Sequence, residues 1–323
     1  MAVTASPTPT GLARLGLRRR IRFGRGARSA RRRRTSTLLV TVFVLPSVVI
    51  YGLFMVYPFV GTIHLSLTSW DGFAATKDFI GLDNYRVLLQ DGEFWEALGH
   101  NLIWAVIGTA APIIIGLPIA VMLWSGTRFR LAFRAMYFLP VILPSVVAGI
   151  IWGWIYNPIF GVLNSILEGI GLGGLATGWL GNPDTALYAV LAAAVWGTFG
   201  MIVVFFLAGL QGIDMNLVDA ARVDGANAWQ RTWHVLLPGI APIFTFVLTI
   251  TLVGAFSVFD IVYVLTRGGP GTATEVLAGY SYEMAFNRSY AGYGSAISMV
   301  IAALSLVLAI VFLRLRERSR LNG

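Results

Sequence analysis

Six long apolar stretches constrain this chain more than any other feature of its sequence. They carry almost no charged residues and fall near positions 38–60, 98–123, 136–157, 185–209, 239–265 and 293–313. About twenty apolar residues suffice for a helix to cross a bilayer, and in lipid a helix satisfies its own backbone groups. A composition of 57% hydrophobic and 12% charged residues also excludes an ordinary soluble domain. The sequence therefore predicts an all-α polytopic membrane protein with six transmembrane helices.

The distribution of basic residues predicts how the chain is oriented in the membrane. Eleven arginines precede residue 35, and most of the others fall after the second, fourth and sixth stretches. Basic residues accumulate in cytoplasmic segments. Both termini are therefore expected in the cytoplasm, since only four of the 24 basic residues lie in the opposite, outer segments: Lys77, Arg86, Arg267 and Arg288.

The arginine-rich tail, residues 1–34, allows two interpretations. Such a run can bind RNA, or it can mark a cytoplasmic end and contact anionic lipid headgroups. Phe23 is the one aromatic residue among the arginines, so the tail lacks the interleaved rings on which bases stack. We therefore expect a membrane-lipid contact and no nucleic acid.

A polar loop, residues 211–238, separates the fourth and fifth apolar stretches. Its pattern predicts two short helices hinged at a glycine. Asp214 or Asn216 can cap the first helix, Gly225 can end it, Asn227 can cap the second, and Pro238 opens the next apolar stretch. A loop of this kind, held beside the membrane by its flanks, suits docking on a soluble partner.

The polar loop also carries a family resemblance. The run Asp219-Ala220-Ala221, then Gly225 and Val235, and finally Leu237-Pro238 resembles the EAA signature of permeases in binding-protein-dependent ABC importers, with Asp219 where that family usually has Glu. The resemblance implies that the first helix of the loop is a coupling helix lying on a separate ATPase. Its expected coupling residues are Asp219, Ala220, Ala221, Arg222, Asp224, Gly225, Leu237 and Pro238.

Further motifs resemble the carbohydrate-importing permeases. They are the stretches at 79–85 (FIGLDNY), 259–270 (FDIVYVLTRGGP) and 290–296 (YAGYGSA). The resemblance implies a subunit of a bacterial inner-membrane importer for a di- or oligosaccharide. Its expected partners are a second permease, two ATP-binding-cassette ATPases and an extracytoplasmic sugar-binding protein. The chain would then comprise a basic tail (1–34), a first span with outer loop (35–97) and the permease core (98–323).

Sugars are bound by aromatic rings and by hydroxyl groups. Together with the same resemblance, this predicts that substrate-pathway residues lie on the fourth and fifth spans. In the maltose-type permease, the positions matching Gly254 and Val258 also line the sugar site. The candidates are Trp196, Gly197, Thr198, Phe199, Met201, Thr251, Ala255, Ser257, Asp260 and Tyr263. Asp260 is the clear carboxylate within a span, and such groups are usually functional. It either contacts sugar or a gate, or it has a structural role near the outer end of its span, where Arg267 could pair with it.

Several kinds of chemistry are missing from the sequence. The chain has no cysteine, its three histidines have no metal-ligand spacing, and Lys77 is its one lysine and lies outside any G-x-x-x-x-G-K-[ST] phosphate loop. We expect a non-catalytic subunit without a metal or cofactor of its own. ATP and Mg would belong to the partner ATPase. The alternative is an ion-coupled secondary transporter, which would need more buried ionisable residues than Asp260 alone.

Overall fold

The computed structural model describes residues 42–126 and 130–321 of the chain. The predicted basic tail and the first residues of the first predicted span lie outside these ranges. The helices up to the middle of the described chain are α1 (Val42–Ser66), α2 (Asp83–Gln90), α3 (Gly92–Trp124), α4 (Arg130–Ile142), α5 (Ser145–Ile155) and α6 (Val162–Gly169). They are followed by α7 (Pro183–Leu210), α8 (Met215–Val223), α9 (Ala228–Gly239), α10 (Ala241–Phe256), α11 (Asp260–Leu265), α12 (Leu277–Tyr282) and α13 (Ala291–Leu321). Between them, the described residues contain a single isolated bridge, Thr68–Phe79, and no strand.

The chain divides into two units, one of residues 1–58 and one of residues 59–323. In the first unit, the described residues 42–58 are helical and include a π-helical turn at Gly52–Val56. Nearly all of their apolar side chains are exposed, among them Phe43 and Phe54. Exposed apolar side chains around a whole helix are typical of contact with lipid tails.

In the second unit, three helices are long and apolar enough to cross a membrane, and α1 is a fourth. Two bent pairs give the remaining spans: α4 with α5, bent by 110°, and α9 with α10, bent by 74°. Counting each pair as one span gives six, so the predicted all-α membrane fold is confirmed. The short helix α6 follows the third span.

Neither the third nor the fifth span is one continuous helix. The third is interrupted at Leu143 and Pro144, where the proline ring disfavours helical geometry at the residue before it. The fifth was predicted to reach residue 265, but α10 ends at Phe256 and α11 begins afresh at Asp260. Phe259, in between, leaves helical geometry with φ −145° and ψ −60°.

Two apolar cores hold the second unit together. One joins α3, α7, α12 and α13 through residues such as Trp104, Val190 and Leu277. The other joins α3 and α7 to the polar loop and the start of α10, with Phe206 and Ile240 buried at its centre. The long helices α3 and α7 contribute to both cores and form the frame around which the bent pairs are arranged.

Candidate functional site

A cavity of about 510 Å³, here called the main cavity, is lined by the interrupted third and fifth spans together with the continuous helices α3 and α7. Its wall is mainly apolar, with hydroxyl groups and one carboxylate among the small side chains. Two helix breaks face it: Leu143 lines it from the break between α4 and α5, and Val258 and Phe259 line it from the break between α10 and α11. In membrane transporters, binding sites are commonly built at such interrupted helices near the middle of the bilayer.

Asn101 stabilises the break in the fifth span. Its side-chain amide donates to the backbone carbonyl of Ala255 at 2.6 Å, at the end of α10. Its side-chain oxygen accepts from the backbone N–H of Leu277 at 2.8 Å. Asn101 is fully buried, so these bonds satisfy backbone groups that could not reach water there. One side chain of α3 thereby fixes the end of α10 and the start of α12.

The polar wall of the main cavity consists of groups with free acceptor capacity. The hydroxyl of Thr198 donates to the carbonyl of Ala194 at 2.9 Å, and that of Thr251 donates to Val247 at 2.9 Å. Each hydroxyl has thus used its single donor within its own helix, and its oxygen remains able to accept a hydrogen bond.

Two glycines of the cavity wall leave space open. A Cβ added at Gly197 or at Gly254 would meet no heavy atom within 4 Å. Gly200, one turn further along α7, is different: a Cβ there would lie 1.9 Å from the backbone oxygen of Tyr137. Gly200 therefore lets α7 and α4 pack closely, whereas Gly197 and Gly254 contribute room to the cavity.

Seven of the ten residues predicted for the substrate pathway line the main cavity, and three lie elsewhere. Those in its wall are Gly197, Thr198, Met201, Thr251, Ala255, Ser257 and Asp260. Trp196 instead packs edge-on against Trp152 at 5.8 Å, and Phe199 packs against the second apolar core. Tyr263 lies beyond the break, stacked on Phe259 with 5.1 Å between ring centroids.

Asp260 lies in the cavity wall at the first position of α11 and is exposed. Among the described residues it forms no salt bridge, so the pairing with Arg267 considered from the sequence is absent. The guanidinium of Arg267 lies instead over the ring of Tyr263, 5.8 Å from its centroid.

Sequence reasoning missed the part of the main cavity that comes from the second and third spans. Trp104 and Gly108 of α3 line it, as do Pro140 and Ser145 on the two sides of the third-span break. The prolines were the available signal, because they mark the place where the third span cannot continue as a regular helix.

The polar loop forms the two short helices predicted for it, α8 and α9. The carboxylate of Asp214 caps α8 by accepting from the backbone N–H of Asn216 at 2.9 Å. Asn227 and Gln230 form a reciprocal capping box at the start of α9, with both hydrogen bonds at 2.9 Å. The backbone bonds Ala226 N–H to Ala221 O and Gly225 N–H to Arg222 O form a Schellman motif at the end of α8.

Gly225 occupies the left-handed position of that motif, with φ +79°. Glycine is the residue that adopts this conformation without a Cβ penalty. Its position explains why a glycine is needed where α8 turns towards α9.

One face of α8 is anchored and the other is free. Val218 is buried in the second apolar core together with Leu236. On the exposed face, Asp219 and Arg222 form a salt bridge of 2.8 Å, and both side chains are more than half exposed. An exposed pair of this kind contributes only about 0–1 kcal/mol, so a partner can displace it cheaply. Of the other predicted coupling residues, Ala220, Asp224 and Pro238 are exposed, whereas Ala221 and Leu237 are half-buried.

At the end of the bundle opposite the polar loop, one carboxylate joins three helices. Asp91 caps α3 and accepts hydrogen bonds from the hydroxyls of Tyr280 and Tyr293. Burial alone would raise the pKa of Asp91, but these hydroxyls and the N–H groups of the α3 first turn hold it below its usual value. The carboxylate therefore stays ionised while joining α3, α12 and α13.

The profile of the family described as "Binding-protein-dependent transport system inner membrane component" matches residues 112–320 of this chain. The chain belongs to this family. That membership makes it a multi-pass inner-membrane protein and a permease subunit, which is not itself catalytic. The polar loop lies within the matched residues.

Individual relatives agree with this assignment. The permease is 36% identical to a probable ABC transporter permease of Bacillus subtilis, YurN, over 84% of this chain and 93% of the relative. It is 33% identical to the trehalose/maltose transport system permease MalF of Thermococcus litoralis, over 84% of this chain and 92% of that one. A crystal structure of a bacterial ABC transporter that imports alginate, an acidic polysaccharide, matches the fold with a TM-score of 0.77 and 23% identity, covering 90% of this chain and 99% of that chain.

Proposed function

We propose that this permease forms half of the translocation pathway of an ATP-driven ABC importer for a di- or oligosaccharide. The main cavity is the observation that carries the proposal, because it opens at two broken spans within a chain of the permease family. Curated relatives named for trehalose/maltose and for multiple-sugar transport support the saccharide class.

The character of the cavity wall narrows the substrate. Its polar groups include the hydroxyls of Ser145, Thr198, Thr251 and Ser257 and the carboxylate of Asp260. A carboxylate in the wall repels an acidic sugar and accepts hydrogen bonds from the hydroxyls of a neutral one. The substrate of this importer is a neutral saccharide, which sets it apart from the acidic alginate carried by the structural relative.

The polar loop couples the permease to a separate ATPase. Its exposed α8 face, with Asp219, Arg222 and the 88%-exposed Val223, is the docking surface. This arrangement requires the loop and both termini to be cytoplasmic, as the distribution of basic residues favours. ATP and Mg bind in that partner, where hydrolysis takes place.

The assembly consists of this chain, a second permease, two ATPase copies and an extracytoplasmic sugar-binding protein. ATP binding by the ATPases supplies the free energy for the change of access. Inverting a two-state equilibrium from 1:99 to 99:1 takes about 5.5 kcal/mol of differential binding. Closure of a nucleotide-bound ATPase pair provides a source for this energy outside the chain.

Reconstitution of the co-purified complex into liposomes tests the proposal. Radiolabelled neutral disaccharides should cross the membrane only when ATP is present in the compartment that the ATPase subunits face and the binding protein is present in the opposite compartment. An ATPase variant that cannot hydrolyse ATP should abolish uptake. Uptake by the permease alone, driven by a proton or sodium gradient, would identify an ion-coupled secondary transporter and refute the proposal.

A further inference from the structure

A second cavity of about 240 Å³ lies beyond the main cavity, where α11 runs into the loop before α12. The two cavities share one wall residue, Phe259, which lies in the break of the fifth span. The volume is below the roughly 300–1,000 Å³ of pockets for drug-sized ligands, so it suits one small ring and not two.

Aromatic rings form one side of the second cavity. Phe259 and Tyr263 stack at 5.1 Å between centroids, and Tyr282 contacts them at 5.4 and 5.5 Å. The three rings brace one another, Arg267 lies over the ring of Tyr263, and Phe286 packs against Tyr282 at 5.1 Å, so the ring surfaces that still face the cavity are fixed in position. A preorganised aromatic wall binds the apolar face of a ring-shaped ligand without paying for its own ordering.

The half-buried carboxylate of Glu275 also lines the second cavity. The oxygens of Glu275 lie against Gly268 and Gly279, where an added Cβ would come within 2.2 and 2.3 Å of them. Oε1 accepts a long hydrogen bond, 3.2 Å, from the backbone N–H of Val276. Among the residues that the structure describes, none donates to Oε2. Burial raises the pKa of Glu275 to about 7, and the nearby carboxylates of Glu283 and Glu93 add to that rise.

The loop that carries Glu275 is held firmly. The hydroxyl of Thr274 donates to the carbonyl of Gly269 at 2.8 Å and lies 2.7 Å from the hydroxyl of Thr266. A ring nitrogen of His100 on α3 lies 2.7 Å from the carbonyl oxygen of Glu275. The carboxylate is therefore placed by the scaffold and not by a mobile segment.

The mixture of polar groups selects the chemistry of the ligand. Arg267 supplies donors and Glu275 supplies an acceptor, whereas the amide of Asn287 already donates to Glu283 at 2.6 Å. The guanidinium of Arg267 in the wall opposes a cationic ligand, and the carboxylates oppose an anionic one. No group of three metal-binding side chains occurs in the described part of the chain. Donors, acceptors and aromatic faces together match a neutral ring that carries hydroxyl groups.

We propose that the second cavity is a saccharide subsite that holds one sugar unit of an oligosaccharide. The neighbouring unit lies in the main cavity, and the chain passes the ring of Phe259 between them. This inference rests on the proposed function and deepens it, because it assigns the importer a preference for chains over single sugars.

Uptake by the reconstituted complex, measured as a function of saccharide length, tests this subsite. The probes are radiolabelled malto-, cello- and galacto-oligosaccharides of one to three units, each offered with saturated binding protein. The variants are Glu275→Gln, which keeps the shape of the side chain, and Tyr282→Leu. Matched controls are Glu168→Gln on α6 and Tyr188→Leu on α7, which are exposed residues outside both cavities.

In both subsite variants, we expect the ratio of trisaccharide to monosaccharide uptake to fall about tenfold. A tenfold fall corresponds to the loss of about one good hydrogen bond or ring contact with the sugar. The controls should keep the wild-type ratio. A fall in uptake that is equal at all lengths, or an unchanged ratio, would overturn the subsite while leaving the importer intact. Failure of the wild-type complex to import any of these saccharides with ATP would instead count against the proposed function.

Discussion

The turn at Gly225 offers the sharpest test of how the polar loop works. Gly225 has φ +79°, and a Cβ built there would meet no heavy atom within 4 Å. Its N–H bonds the carbonyl of Arg222 at 3.1 Å, which closes the end of α8. Substitution at this position therefore changes the backbone preference of the turn without creating a side-chain clash.

The expected magnitude follows from that geometry. Left-handed backbone costs an ordinary L-residue about 1–2 kcal/mol, and Asn tolerates it better. Gly225→Ala should therefore lower the equilibrium constant for forming the correct turn by a factor of about 5–30. Gly225→Pro should be worst, because its ring fixes φ near −65° and it lacks the N–H. We expect uptake to decrease in the order Gly, Asn, Ala and Pro.

The assay is ATP-driven uptake by the reconstituted complex, with ATP hydrolysis measured in parallel. Gly171→Ala is the matched control, since Gly171 has φ +80° and open space but lies after α6, far along the chain from the polar loop. It carries the same backbone cost and should leave uptake close to wild type. Equal losses at Gly171 and Gly225, or normal uptake by Gly225→Pro at wild-type membrane levels, would refute the coupling role of the turn.

Three further predictions concern the cavities and the break in the fifth span. Gly254→Leu should block uptake by filling the main cavity. Gly99→Leu is the control, at an equally open helical glycine outside the cavity, and uptake by it should stay close to wild type when both variants are compared at matched membrane levels. Asn101→Leu leaves the buried carbonyl of Ala255 and the buried N–H of Leu277 without a hydrogen bond, at a cost of about 1–3 kcal/mol each. A thermal melt of the purified permease should therefore show a clear loss of stability. An unchanged melt would contradict the role given to Asn101. Burial raises the pKa of Glu275 from 4.5 to about 7, so the folded state binds more protons in that range and its stability falls as the pH rises. Glu275→Gln should therefore gain melting temperature relative to wild type between pH 5 and pH 8, and a constant difference would contradict this.

The polar loop could be predicted closely from the sequence because its structure is local. Asp214, Asn227 and Gly225 act on backbone groups within a few residues of themselves. The presence of the spans can be predicted equally well, since the length of an apolar stretch indicates whether it can cross the bilayer.

The break in the fifth span could not be predicted in this way. Its free carbonyl at Ala255 is satisfied by Asn101, which lies 154 residues earlier in the chain. The pathway residues show the same limit. The apolar helix α7 gives no sign of which face meets the cavity, so Trp196 and Phe199 were chosen for their chemistry alone. The second cavity depends on Glu275 lying between Gly268 and Gly279, a contact that no local pattern contains.

A cross-link from α8 tests the central claim most directly. The chain has no cysteine, so Ala220→Cys places a single reactive thiol on the exposed face of α8. A photoreactive reagent attached there, in the intact complex, should join the permease to the ATP-binding subunit. An adduct with the extracytoplasmic binding protein, or none with the ATPase in a complex that still imports sugar, would contradict the account.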